Sequence, residues 1–219
     1  QTHDSLPLAN NLFFPDEFLT QLKQAPPLIQ SGQIQTLILR GTPGSDRLRV
    51  GGFLARALGR SLVQVSSMGA SGMTAEQQAL LGPLCTLTHA MPLFEYDLNP
   101  GEQSPLPTLA GYNGPRLIAM SLVGGLQQSG AENLVTLTLP ETHLRERYQQ
   151  WQAALSGHHA ADLEEISQRF RLPGGIIRQL ASLAITQAAL RQANTVTLAD
   201  VQAASRLLNR QTLDSGTTD

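Results

Sequence analysis

Eight consecutive residues carry the strongest chemical signal in this chain: Gly41-Thr42-Pro43-Gly44-Ser45-Asp46-Arg47-Leu48. An apolar run, Leu37-Ile38-Leu39, enters them, and a segment with Leu48, Phe53, Leu54, Ala57 and Leu58 at helical spacing leaves them. A strand, a glycine turn and a helix N-terminus in that order present backbone N–H groups to an oxyanion, above all a phosphate. Gly is needed where the main chain must approach the ligand closely. Farther on, Glu95 and Asp97 end an apolar run, Met91-Pro-Leu-Phe. They read either as an acidic pair on one strand face or as two solvated carboxylates at a strand end.

The elements that must position these groups follow from the pattern. Apolar runs at Gln35–Leu39, Ser61–Val65, Met91–Tyr96, Arg116–Ser121 and Leu134–Leu139 read as five strands separated by helical or loop segments. A strand directly after a helix makes a βαβ unit and a parallel sheet. Pro15–Gln24 reads as a short amphipathic helix ended by Pro26-Pro27. Thr74-Ala-Glu-Gln77 is a capping box opening a helix that Gly82-Pro83 should kink or divide. Leu98–Pro115 reads as a long loop and Gly124–Asn133 as turn-like. After Pro140 the pattern becomes helices alone: Glu141–Leu155, Asp162–Phe170, a third helix after the Leu172-Pro-Gly-Gly175 turn to about Gln192, and a last from the Thr197–Asp200 capping box to about Arg210. Tyr148 and Trp151 read as core of that part, Arg145 and Arg147 as a solvated face. The expected organisation is an arm over 1–33, an α/β core over 34–140, a helical unit over 141–210 and a tail over 211–219.

Composition bounds the function. The chain has 219 residues, 41% hydrophobic and 15% charged, so it can bury a sizeable core. A net charge of −2 argues against a broad nucleic-acid surface. The single cysteine, Cys85, forbids an internal disulfide and fits a reducing, cytoplasmic compartment. No run approaches the length of a membrane helix, and no metal role is expected for the His158-His159 loop pair. The chain starts without Met and ends in a polar stretch, so it is expected to be a fragment or a processed chain.

Three stretches together resemble the AAA+ module, the P-loop ATPases with a helical lid. RGTPGSDRL stands at the place of the family's GPPGTGKT loop. LTLPETHLRERYQQW is similar to its passage from the last core strand into the lid. DLEEISQRFRLPGGIIRQLASLA, with the later VTLADVQAA, is similar to its lid. The resemblance implies a five-stranded parallel sheet in the order 5-1-4-3-2, an all-helical lid, ATP as ligand, and assembly with like subunits, commonly as hexamers. Many members of the family carry two such modules in tandem, and this chain is expected to be the first, N-terminal one, beside a catalytic AAA+ module of the same longer chain.

Carried over residue by residue, the resemblance is incomplete. Gly41, Pro43 and Gly44 match the loop, with Thr42 and Ser45 between and after them. Asp46 replaces the third Gly, Arg47 the Lys, and Leu48 the hydroxyl that ligates Mg²⁺. An Asp beside a phosphate repels it, and Asp46, with Ser45, is expected to cap the helix in the anion's place. Glu95 and Asp97 stand near the Walker B acids without forming the adjacent pair. Ser121 is the nearest match to sensor 1. Arg178 matches sensor 2, with a surface ion pair as the other reading. Leu122–Asn133, where the arginine finger belongs, holds no Arg or Lys. The reading is a degenerate module with impaired ATP hydrolysis and no expected Mg²⁺ dependence. The alternatives are an active ATPase in which Arg47 holds phosphate and Glu95 or Asp97 holds Mg²⁺, and a nucleic-acid-handling module.

Overall fold

The computed structural model describes residues 6–7, 11–68, 73–127, 133–160 and 162–215, for 67–68 and 211–215 the backbone alone. Of the Ser66–Gly72 stretch, which its Gly and Ser content marks as a loop, residues 69–72 lie outside the described residues, as do 128–132 of the expected turn and 216–219 of the expected tail. The chain divides into two units, Gln1–Pro140 and Glu141–Asp219.

The first unit is a three-layer α/β structure. It opens with helix α1 (Asp16–Gln30), then alternates β1 (Thr36–Arg40), α2 (Arg47–Ala57), β2 (Ser61–Met68), α3 (Ala75–Leu87) and β3 (Ala90–Tyr96). Strands β4 (Gln103–Pro105), β5 (Arg116–Met120), β6 (Gly125–Gln127) and β7 (Leu134–Thr138) complete it. Five strands form one sheet, ordered β2-β3-β5-β1-β7, with every neighbour pair parallel. Numbered within that sheet alone, the order is 5-1-4-3-2. Its central strands are buried on both faces, as parallel strands covered by helices are. Leu37, Leu39, Leu93, Leu117 and Ala119 pack with α1 and α2 on one side, and Ile38, Phe94, Ile118 and Met120 pack with Leu81 and Cys85 of α3 on the other.

Proline behaves differently from expectation in two helices. Helix α1 does not end at Pro26-Pro27 but runs through both to Gln30. Phe18, Leu22, Ala25, Pro26 and Ile29 form one continuous buried stripe, and that packing outweighs the bonds the prolines forgo. Helix α3 is likewise undivided at Gly82-Pro83; Leu81, Gly82 and Cys85 are its buried face. Its capping box is formed, with Thr74 Oγ1 accepting from the Gln77 N–H and Gln77 Oε1 accepting from the Thr74 N–H. The loops expected at Leu98–Pro115 and Gly124–Asn133 contribute β4 and β6, which pair with each other.

The second unit holds α4 (Leu144–Ala154), β8 (His159–Ala160), α5 (Leu163–Arg169), α6 (Gly174–Leu190), β9 (Thr195–Val196) and α7 (Leu198–Ser215). The expectation of a helices-only unit needs correction, because β8 and β9 form a short parallel pair between its loops. The reason is packing: Val196 is fully buried in the core of the unit, so the segment before α7 is drawn inward and pairs its backbone with that of His159 and Ala160. The core is centred on Trp151, whose ring meets Phe170 edge-on at 6.1 Å, with Leu155, Ile166, Ile177, Leu180 and Val201 around it. Tyr148 is not core; it is exposed. Arg147 is not merely solvated: it donates to the carbonyls of Thr142 at 2.7 Å and Ser167 at 3.3 Å.

The start of α7 is tied from two sides. Asp200 accepts from the N–H and the hydroxyl of Thr197 and from Arg191 in a two-pronged pair, while Asp162 accepts from the Leu198 N–H at 3.1 Å. The expected box at Thr197 is thus rearranged: its hydroxyl donates to Asp200 instead of accepting from the helix.

Candidate nucleotide site

Strand register sets the geometry. Arg40 lies opposite Met120, and Met120 opposite Tyr96. The chain therefore leaves β1, β5 and β3 at one level, placing Gly41, Ser121 and Asp97 side by side at the carboxyl edge of the sheet. That edge is where open α/β sheets bind ligands. Gly41 is held there, its N–H donating to the Met120 carbonyl at 3.2 Å, while the Leu139 N–H donates to the Arg40 carbonyl at 2.7 Å.

The loop itself is a tight turn. The Ser45 N–H donates to the Thr42 carbonyl at 3.0 Å, with Pro43 and Gly44 as the central pair. Gly44 has φ of +73°, the conformation a type II turn demands of its third residue and one that glycine adopts without strain. At Gly41 a Cβ would stand 2.5 Å from the Ser45 Oγ, so a side chain there would displace that hydroxyl. That hydroxyl is buried and without a hydrogen-bond partner.

Asp46 takes the N-cap position of α2 but does not cap it, and neither does Ser45. Its backbone, at φ −79° and ψ 26°, is not the extended conformation that lets a cap side chain reach back to the helix N–H groups, and no side-chain cap bond forms. The carboxylate is instead buried and 4.0 Å from Arg49 Nε. Neither side chain therefore caps the helix N-terminus as expected, and a helix N-terminus attracts an anion.

Arg47 opens α2 and is partly buried. Burial holds its guanidinium below its ordinary value, and the charges of Glu95 and then Asp97 offset only part of that. The charges of three residues that the sequence separates by about fifty positions thus act on one another. Glu95 lies within β3 and accepts from Gln64 Nε2 at 3.0 Å; Asp97 is exposed one residue beyond the strand. Leu48 follows Arg47 in the first turn of the helix.

Ser121 is turned toward its own loop, its hydroxyl donating to the Val123 carbonyl at 3.1 Å. The sequence reading missed Arg40, which binds that same loop. Its Nη1 donates to the carbonyls of Ser121 at 3.2 Å and Leu122 at 3.3 Å, and its Nη2 to that of Gly124 at 3.2 Å. The available signal was a cation at the end of an apolar strand, immediately before the glycine turn. Arg178 belongs to the second unit, in the second turn of α6.

The donor set fits a phosphate better than a metal. The glycine turn, the orphaned Ser45 hydroxyl and the helix N-terminus suit an oxyanion. Leu48 offers no metal ligand, and no group of three or more His, Cys, Asp or Glu side chains able to hold a metal ion occurs among the described residues.

No family model matches the sequence, and no curated protein matches it. Solved structures do match. Three variants of RuvB from Thermotoga maritima are similar to this chain at TM-scores of 0.58, 0.52 and 0.56 and at 15%, 16% and 16% sequence identity. The similarity covers 93%, 95% and 90% of this chain and 73%, 73% and 70% of theirs. At this identity the likeness speaks to fold alone: a parallel α/β sheet with helices, similar to that of RuvB. Among the described residues no helix is long and apolar enough to cross a membrane.

Proposed function

We propose that this chain is a degenerate AAA+ module that hydrolyses ATP poorly or not at all and serves a structural or regulatory role beside a catalytic AAA+ module of the same longer protein and like subunits. One observation carries the reading. The chain's own cation, Arg47, shares its surroundings with Glu95 and Asp97, the acids nearest the place where the family holds Mg²⁺. Leu48 beside it supplies no hydroxyl. The permanent charge of Arg47 acts on those carboxylates and lessens their need for a metal, and phosphoryl transfer depends on metal-assisted charge neutralisation and positioning. The segment from Leu122 to Asn133, where the family carries its arginine finger, also lacks any Arg or Lys.

In this reading the glycine turn and the α2 N-terminus retain a weak affinity for phosphate, with Asp46 opposing it. Arg178, Ser121 and Arg40 then hold structure rather than report on a γ-phosphate. The test is turnover of ATP by the concentrated chain with excess Mg²⁺. The reading expects none above background. Sustained Mg²⁺-dependent release of phosphate, abolished by Glu95→Gln or Asp97→Asn, would instead establish the active ATPase in which these acids hold the metal.

A further inference from the structure

At the opposite edge of the sheet lies a cleft of about 430 Å³. Its lining comes from the segments that enter the strands: Ile34 and Gln35 before β1, Arg60 before β2, His89 before β3 and Pro115 before β5. The end of α1 closes one side with Ile29 and Gln30. Ile29, Ile34, Leu58 and Pro115 supply its apolar lining, and the polar groups are Arg60, His89 and the amides of Gln30, Gln35 and Asn113. The lining includes no carboxylate. Unlike Arg40, Arg47 and Arg49, whose surroundings engage them, these five side chains have no hydrogen bond or ion pair among the described residues.

The wall formed by Asn113–Pro115 is preorganised. Tyr112 Oη donates to the Pro115 carbonyl at 2.8 Å and lies 3.0 Å from that of Ala90, on the strand next to His89. Gly114 packs against the Tyr112 ring so closely that a Cβ would stand 2.5 Å from it. Burial pushes the Tyr112 phenol up, so the wall carries no negative charge at neutral pH.

We propose that this cleft is a second binding site, separate from the glycine loop, for a small organic oxyanion: a phosphate or carboxylate group borne on an apolar body. Arg60 and His89 hold the anion, the amides orient it, and Ile29, Ile34 and Leu58 cover the apolar part. The volume falls within the roughly 300–1,000 Å³ of small-ligand sites, and an unpaired Arg with donor amides is the chemistry that recognises such an anion. The site stands whether or not the glycine loop binds nucleotide.

The test is a titration of the full chain with phenyl phosphate, followed by backbone amide NMR, with inorganic phosphate in parallel. Saturable shifts are expected at Gly32, Gln35, Asn113 and Gly114, with phenyl phosphate binding several-fold more tightly than inorganic phosphate. Arg60→Gln and His89→Gln are surface changes, checked for folding by thermal melting. Each should weaken binding about tenfold or more, the loss of one charge-assisted contact, whereas Arg47→Gln should leave it unchanged. Shifts confined to Gly44–Arg47, equal binding by the folded Arg60→Gln variant, or no saturable shift by about 20 mM, weaker than a specific site of this kind, would overturn the proposal.

Discussion

The guanidinium of Arg40 reaches 81 residues along the chain to donate to the main-chain carbonyl of Ser121 at 3.2 Å, and the same group holds Leu122 and Gly124. The last residue of β1 thus fixes the loop that leaves β5. The residue before the glycine turn and the loop that begins at Ser121 are one mechanical unit.

Arg40→Ala should therefore release the loop at 121–124. Charge-assisted bonds to carbonyls contribute about 1.5–3 kcal/mol each when well buried and less when partly exposed. A loss of about 1–3 kcal/mol is expected for the three together, read as a lower urea midpoint at unchanged slope. Hydrogen exchange should rise at residues 121–125 before it rises elsewhere in the sheet. Unchanged exchange there would show that the loop is held by other contacts.

In the second unit, Asp200 is the analogous tie. Burial pushes its carboxyl up, and the bonds from Arg191 and Thr197 more than reverse this, so it is held below the usual carboxylate range. A group whose pKa is depressed by folding stabilises the protein above its unfolded pKa of about 4, and that contribution is lost as pH falls through the lower folded value. Asp200→Ala should cost about 2–3 kcal/mol at pH 7, from the lost cap and pair. The gap between variant and parent should narrow as pH falls below about 4. A pH-independent gap would show that the charge is not what matters.

The glycine loop offers a gain-of-function test. Asp46→Gly removes a carboxylate whose repulsion of a phosphate 4 Å away is about 1–4 kcal/mol, so anion affinity should rise. Adding Arg47→Lys and Leu48→Thr restores the compact cation and the metal hydroxyl, and ATP affinity should rise further and become Mg²⁺-dependent. Turnover should stay poor, because no finger or adjacent acidic pair has been restored. A triple variant that binds ATP no better than the parent would place the loss outside these loop residues.

What the sequence made legible was local. The central strands are unbroken apolar runs, and the Thr74–Gln77 box closes within a single turn of helix, so both could be read directly. What it hid was set by distant contacts. Helix α1 survives two prolines only because Ile29 still finds the core. The pairs β4–β6 and β8–β9 join residues more than twenty positions apart, at lengths too short for any pattern. Asp46 was read from its type, but its backbone angles decide that it does not cap. Arg40 was invisible as a functional residue because all its partners lie in another loop.

The central claim is that Leu48 and Arg47 leave this site without a place for Mg²⁺. It is tested most directly by calorimetric titration of the chain with ATP, once with excess Mg²⁺ and once with a chelator. The account predicts weak or undetectable binding and the same affinity in both. Tight binding that appears only with Mg²⁺ would contradict it.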